Sequence, residues 1–211
     1  MKQAPSRTLR KRERTRKELV SAAETLVAQH GLDALSIDEI TEAADVAKGT
    51  FYTHFSDKAD LAAAIGDCIR VELEERVAIA NRGIGDAAIR LANGLATFLV
   101  FAIDQPLRAR ALIRLTQRLV DPEMPVNAGI RGDVTVGVNT KRFWASSIDA
   151  AVVSLLGIAV ASVMHLTGPH PIAEPHLFAR QALATALVAV GLKQSEAERL
   201  AKSAVENRRA V

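Results

Sequence analysis

One thiol, Cys68, is all the cysteine in 211 residues, so no disulfide forms within a single chain. The basic N-terminus is not followed by the apolar stretch of a signal peptide. Both features lead us to expect a reducing, cytoplasmic setting. The longest apolar run, residues 150–164, has 15 residues, short of the ~20 that cross a bilayer. It reads as a buried helix, and no membrane partner is expected. There is no glycine-rich phosphate loop, nucleophile elbow or cysteine pair, so neither catalysis nor a cofactor has a motif behind it. No alternating strand pattern, internal repeat or low-complexity linker is present either. The expected fold class is all-α.

What is present is an uneven charge. The net charge is +3, yet residues 2–17 hold eight basic side chains (Lys2, Arg7, Arg10, Lys11, Arg12, Arg14, Arg16, Lys17) against one acid, Glu13. The rest of the chain carries 19 basic and 23 acidic groups. A basic arm on a mildly acidic body points to a polyanionic partner, although a solvated tail has the same composition. The segment just beyond the arm favours nucleic acid. In residues 36–61, Ile37, Ile40 and Ala44 recur at the spacing of one helix face, and Ser36 with Glu39 forms a capping box. Residues 45–47 leave room only for a tight turn. Residues 48–55 form a second short helical segment, and Asp57 is placed to cap a third helix. Two helices joined by so short a turn lay the second one in a DNA major groove. Lys48, Thr50, Tyr52, Thr53 and His54 can donate to phosphates or base edges, and Gly49 allows close backbone approach. With Arg14, Ser36 and Lys58 they form the candidate DNA-binding set.

This stretch resembles the DNA-binding half of the TetR family of one-component bacterial regulators. The family pattern is matched at Ser36, Ile40, Ala44, Val46, Gly49, Thr50, Tyr52, His54, Phe55, Lys58 and Leu61. Thr41, Asp45 and Ala47 depart from it. Asp tolerates a left-handed turn, but Ala47 has no capping oxygen, a loss of about 1 kcal/mol. The resemblance implies a helix-turn-helix domain over residues 1–56 and a larger helical domain over 57–211 that binds a small-molecule effector and dimerises. It further implies a repressor that binds a double-stranded DNA operator and leaves it when the effector binds. The residues name neither effector nor operator.

Beyond the turn, Leu61, Ala64, Ile65, Cys68, Ile69, Leu73 and Val77 mark a helix over about 58–80. It is ~35 Å long and can join two modules; Cys68 reads as a core filler on its stripe. Further helices are expected near 91–102, 107–119, 130–139, 147–166 and 178–192. A last helix, started by a second capping box at Ser195 and Glu198, reaches about 208. Residues 147–166 are apolar nearly all round and read as a helix buried on several sides. Small residues Ser154, Gly157 and Ala161 on one late helix and Ala182, Ala186 and Ala189 on the other fit a twofold interface as well as internal packing. Phe98, Phe101, Arg114, Gln117, Trp144, Met164 and His165 are the candidate cavity lining.

A rival reading uses the 165–176 region, where His165, His170, His176 and Glu174 gather, for a helical metal-binding protein or enzyme. The i,i+4 histidine pair of a helical zinc site is missing, so no metal is expected. An architectural DNA binder without a ligand is a third reading, supported only if the second half is solidly packed.

Overall fold

Ten α-helices and one 3-10 turn make up the described residues, 7–115, 120–123 and 127–209, of this computed structural model. In chain order they are α1 (Arg7–His30), the 3-10 turn Leu32–Ala34, α2 (Ile37–Ala43), α3 (Lys48–His54), α4 (Lys58–Ala80) and α5 (Ala87–Asp104). Then come α6 (Pro106–Leu115), α7 (Ala128–Asn139), α8 (Ile148–Leu166), α9 (Pro175–Ala189) and α10 (Gln194–Arg209).

The boundaries follow from local chemistry. Gly31 takes φ +82° and its N–H bonds the Val27 carbonyl, which closes α1. Asp57 accepts from the Asp60 N–H and starts α4. Asp86 starts α5 by accepting from Ala88 and Ile89, and Ser147 starts α8 by accepting from Ala150. α7 survives two internal glycines because one of them is needed. A Cβ on Gly137 would lie 2.0 Å from the Phe143 ring, which packs there and closes the α7–α8 connection.

α5 is the central helix. Twelve of its residues are buried, from Ala87 to Ala102, and it packs against α4, α6, α7, α8, α9 and α10. α1 packs on α2, α4 and α6, so α4 and α6 touch both the N-terminal helices and the central bundle.

Four expectations change here. Cys68 is exposed, because the α4 stripe that meets the core runs through Leu61, Ile65, Ile69 and Leu73 and leaves position 68 beside it. Ser195 does not cap α10: the helix starts one residue earlier at Gln194, whose Nε2 donates to Glu198 Oε1 at 2.9 Å. α9 starts at Pro175, ahead of the expected start near 178, which puts His176 in its first turn. α8 is not enclosed. Only Val152, Leu155, Ser162 and Val163 are buried, while Val153, Ser154, Ala161 and Met164 face outward. By length and composition α5 and α8 could each cross a membrane; α5 is mostly buried inside the protein, as a core helix is, and α8 leaves an apolar face open.

Candidate nucleic-acid interface and internal cavity

The capping box of α2 forms as the sequence implies. The Ser36 N–H donates to Glu39 Oε2 at 3.0 Å, and the Glu39 N–H donates to Ser36 Oγ at 3.2 Å. The Ser36 hydrogen bonds hold the Glu39 carboxyl below the usual carboxylate range. Asp45 takes φ +52°, and the Val46 N–H returns to the Thr41 carbonyl at 3.0 Å, so the chain turns sharply into α3. Thr41 is buried, with its hydroxyl donating to the Ile37 and Asp38 carbonyls of its own helix. That explains how a polar residue is accommodated there. At Ala47 no side chain caps α3.

α3 is anchored through one face. Phe51 and Phe55 are fully buried with ring centres 5.7 Å apart. The opposite face presents Lys48, Gly49, Tyr52 and Thr53 to solvent, with Thr50, His54 and Lys58 half-buried beside them. Tyr52 is 54% exposed and held edge-on against Phe51. A Cβ on Gly49 would meet nothing within 4 Å, so a DNA backbone has room to approach. Lys48 Nζ lies 2.7 Å from Asp38 Oδ1, a pair that orients the ammonium yet leaves it on the surface. Arg14 is exposed and paired with Glu18 one turn on, at 2.8 Å.

The basic segment does more than extend the chain. Residues from Arg7 onward are helical, and Arg12 Nη2 donates to the Thr53 carbonyl at 3.4 Å. Arg16 stacks 4.7 Å from the centre of the Phe55 ring. Two cations thus sit at the carbonyl end of α3, where they complement its dipole. Sequence reasoning counted them only as arm charge; their i,i+4 spacing on one helix face was the available signal. Burial first, then Arg12 and Arg16, push the His54 imidazole below its ordinary range.

A second feature lies deeper. α4, α5, α6, α7 and α8 enclose a cavity of about 560 Å³, within the size range of small-molecule sites. Phe98 and Phe101 line it. Arg114 does not: it pairs with Asp33 on the surface. Trp144 is 74% exposed, with its backbone N–H donating to the Val190 carbonyl, and Met164 and His165 lie on the open side of α8. Gln117 lies outside the described residues. Sequence reasoning missed the rest of the lining, both apolar residues such as Leu91, Leu95 and Ile113 and the polar part, Arg70, Glu74, Asn81, Arg90, Asn127 and Asp133. Charges at helical spacing read as solvated surface until the cavity is known. His165 packs its ring 4.8 Å from Phe178, and no group of three metal-ligating side chains occurs among the described residues.

Helix-turn-helix, cavity and connecting helix together define a DNA-binding regulator. The sequence profile described as bacterial regulatory proteins, tetR family, matches residues 19–65. The crystal structure of RolR in complex with resorcinol is similar at 27% identity, with a TM-score of 0.68 over 92% of this chain and 95% of that one. RolR without ligand aligns at 25% identity and a TM-score of 0.67, over 88% and 96% of the two chains. CprB from S. coelicolor A3(2) shares the fold, with 20% identity and a TM-score of 0.62 over 93% and 98%. Residues 19–65 thus match the bacterial regulatory proteins of the tetR family, and the chain as a whole is similar in structure to RolR and CprB.

Proposed function

We propose that this protein is a homodimeric repressor that holds an operator when empty and releases it when a small molecule fills the cavity. Residues 1–56 would serve as the reading head and residues 57–211 as the sensing and dimerising half, non-catalytic and working in the cytoplasm where its DNA lies. One observation carries this reading: α4 begins at Lys58, just after α3, the proposed recognition helix, and lines the cavity through Arg70, Glu74, Val77 and Ala78, with Asn81 at its C-terminal cap. A ligand that displaces α4 therefore moves the recognition helix with it. Two half-sites one helical turn apart, about 34–36 Å, tolerate little such movement. The ligand acts only through its difference in affinity for the two forms. RolR, whose ligand complex is known, supports a ligand-responsive reading.

The open face of α8 supports the dimer. Val153, Ser154, Gly157, Ala161 and Met164 form one stripe, and a Cβ on Gly157 would meet nothing within 4 Å in this chain. On α9, Ala189 and Val188 face outward and Ala182 is half-buried. Ala186 belongs to the chain's own core at 1% exposure and leaves the proposed interface.

The test starts from compounds that raise the melting temperature of the protein. Each is added to protein bound on DNA selected from a random pool, with fluorescence anisotropy as readout. At least one stabilising compound should release the DNA. Stabilisation by many compounds with DNA affinity always unchanged would contradict the ligand-responsive part.

A further inference from the structure

The cavity is lined mostly by apolar side chains, with Asn81, Arg90 and Asp133 as one polar group and the Arg70–Glu74 pair further along α4. Arg90 Nε donates to Asp133 Oδ1 at 2.6 Å, joining α5 to α7. Asn81 is spent on the frame: its Nδ2 donates to the Arg90 carbonyl and its Oδ1 accepts from Asn93. The Arg90–Asp133 pair uses one guanidinium nitrogen and one carboxylate oxygen, so the other carboxylate oxygen and the Nη groups are not needed for it. From Arg90 to Phe101 the wall formed by α5 runs ~16 Å, past Leu91, Leu95 and Phe98.

The charges on this lining cancel. Arg70 Nη1 is 2.7 Å from Glu74 Oε1, and Arg90 is paired with Asp133, so each cation already has its anion. A carboxylate or ammonium entering the cavity would lose its hydration without gaining an unpaired counter-charge, which is unfavourable. A hydroxyl meets no such penalty. It donates to the second oxygen of Asp133, accepts from an Arg90 Nη, and leaves the ion pair standing.

We propose that the effector is an uncharged amphiphile, with a hydroxyl end seated at Arg90–Asp133 and an apolar body lying along α5 against Phe98 and Phe101. The proposal rests on the cavity being the effector site. Hydroxyaromatic and long-chain alcohol effectors share this chemistry; an organic acid or amine does not.

Three probes of similar bulk test it by calorimetry on the full chain at pH 7.4: 4-butylphenol, its methyl ether 4-butylanisole, and 4-butylbenzoate. The phenol should bind at least tenfold tighter than either of the others. Asp133→Asn and Arg90→Gln should each narrow the phenol's advantage over the ether to less than threefold, while the ether's own affinity holds. If either variant fails to fold by circular dichroism, the probe series on the wild type decides alone. Tightest binding of the benzoate, equal binding of all three, or no binding of the phenol would overturn the proposal. Ile113→Trp, which fills the cavity, separates the two levels. Loss of all probe binding in that variant, with no discrimination in the wild type, overturns the hydroxyl assignment and leaves the cavity as the site. Phenol binding equal in Ile113→Trp and wild type overturns the cavity assignment itself.

Discussion

The Arg108 guanidinium lies 5.4 Å from the centre of the Phe101 ring, so a cation of α6 rests on a residue that lines the cavity. The same guanidinium is hydrogen-bonded to Glu24 of α1 and, at 2.7 Å, to Glu72 of α4. Burial alone would push the Glu72 carboxyl up; Arg108 and Arg76 outweigh it and hold the group below the usual carboxylate range. One side chain therefore ties the cavity wall to the first helix of the reading head.

Arg108→Met keeps much of the packing and removes the clasp, taking the Arg108 cation from Glu24 and leaving Glu72 with Arg76 alone. We expect a loss of about 1–3 kcal/mol in stability and at least a fivefold loss of DNA affinity. Phe101→Leu should leave DNA affinity within twofold while weakening the effect of any releasing compound. Anisotropy titrations of both variants check this; equal responses to ligand in Phe101→Leu and wild type would remove Arg108–Phe101 from the coupling.

DNA binding should fall steeply with salt. For about six phosphates contacted per dimer, log K against log salt should have a slope near −5. Tyr52→Phe and Lys58→Ala should each weaken binding with circular dichroism unchanged, since one loses a donor on the exposed face of α3 and the other a cation at the start of α4. Thr50→Ala should change the preferred sequence more than the bulk affinity. A salt slope near zero, or full binding by both variants, would contradict this docking.

The dimer prediction turns on two positions that the sequence could not tell apart. Gly157→Leu adds a side chain where this chain has open space, so the monomer should fold and association should fail. Ala186→Arg instead places a charge in the chain's own core, and it should lower stability before it affects association. Sedimentation velocity with thermal melts separates the cases. A folded, dimeric Gly157→Leu protein would place the interface elsewhere.

Local chemistry was legible in the sequence and rotation about helix axes was not. Ser36 with Glu39, Asp45 at the turn and Asp57 before α4 act on backbone groups within a few residues, so their roles could be read directly. Cys68, Met164 and Ala186 all sit on helices that were correctly expected, but whether each faces core, cavity or solvent depends on which neighbour packs there. Apolar periodicity marks a face without naming its partner. The α8 helix shows this plainly: a sequence apolar nearly all round reads as enclosed, yet only Val152, Leu155, Ser162 and Val163 are buried in the single chain. The Arg90–Asp133 pair was invisible for the converse reason, because its two halves lie on helices brought together only by the fold.

Acid should unfold the protein through its paired carboxylates. Burial would raise Asp86, but the Ile89 and Ala88 N–H groups and Arg142 hold it below its ordinary value. The Arg142 hydrogen bond does the same for Glu196. Because the folded-state values are depressed, this stabilisation is present above the unfolded values, about 3.9 and 4.3, and is lost as pH falls through the lower folded ones. The melting temperature should be flat from pH 8 to 6 and drop below about pH 4.5. Arg142→Gln should melt a few degrees lower at pH 7, with the gap closing toward pH 3. A gap independent of pH would contradict the assignment.

Selection of bound DNA from a random pool tests the central claim, that this chain is a dimeric, sequence-reading regulator, most directly. The enriched sequences should contain two symmetric half-sites one helical turn or a multiple apart, bound by a dimer. No enrichment above the starting pool, or a single unsymmetrical site bound by one chain, would contradict it.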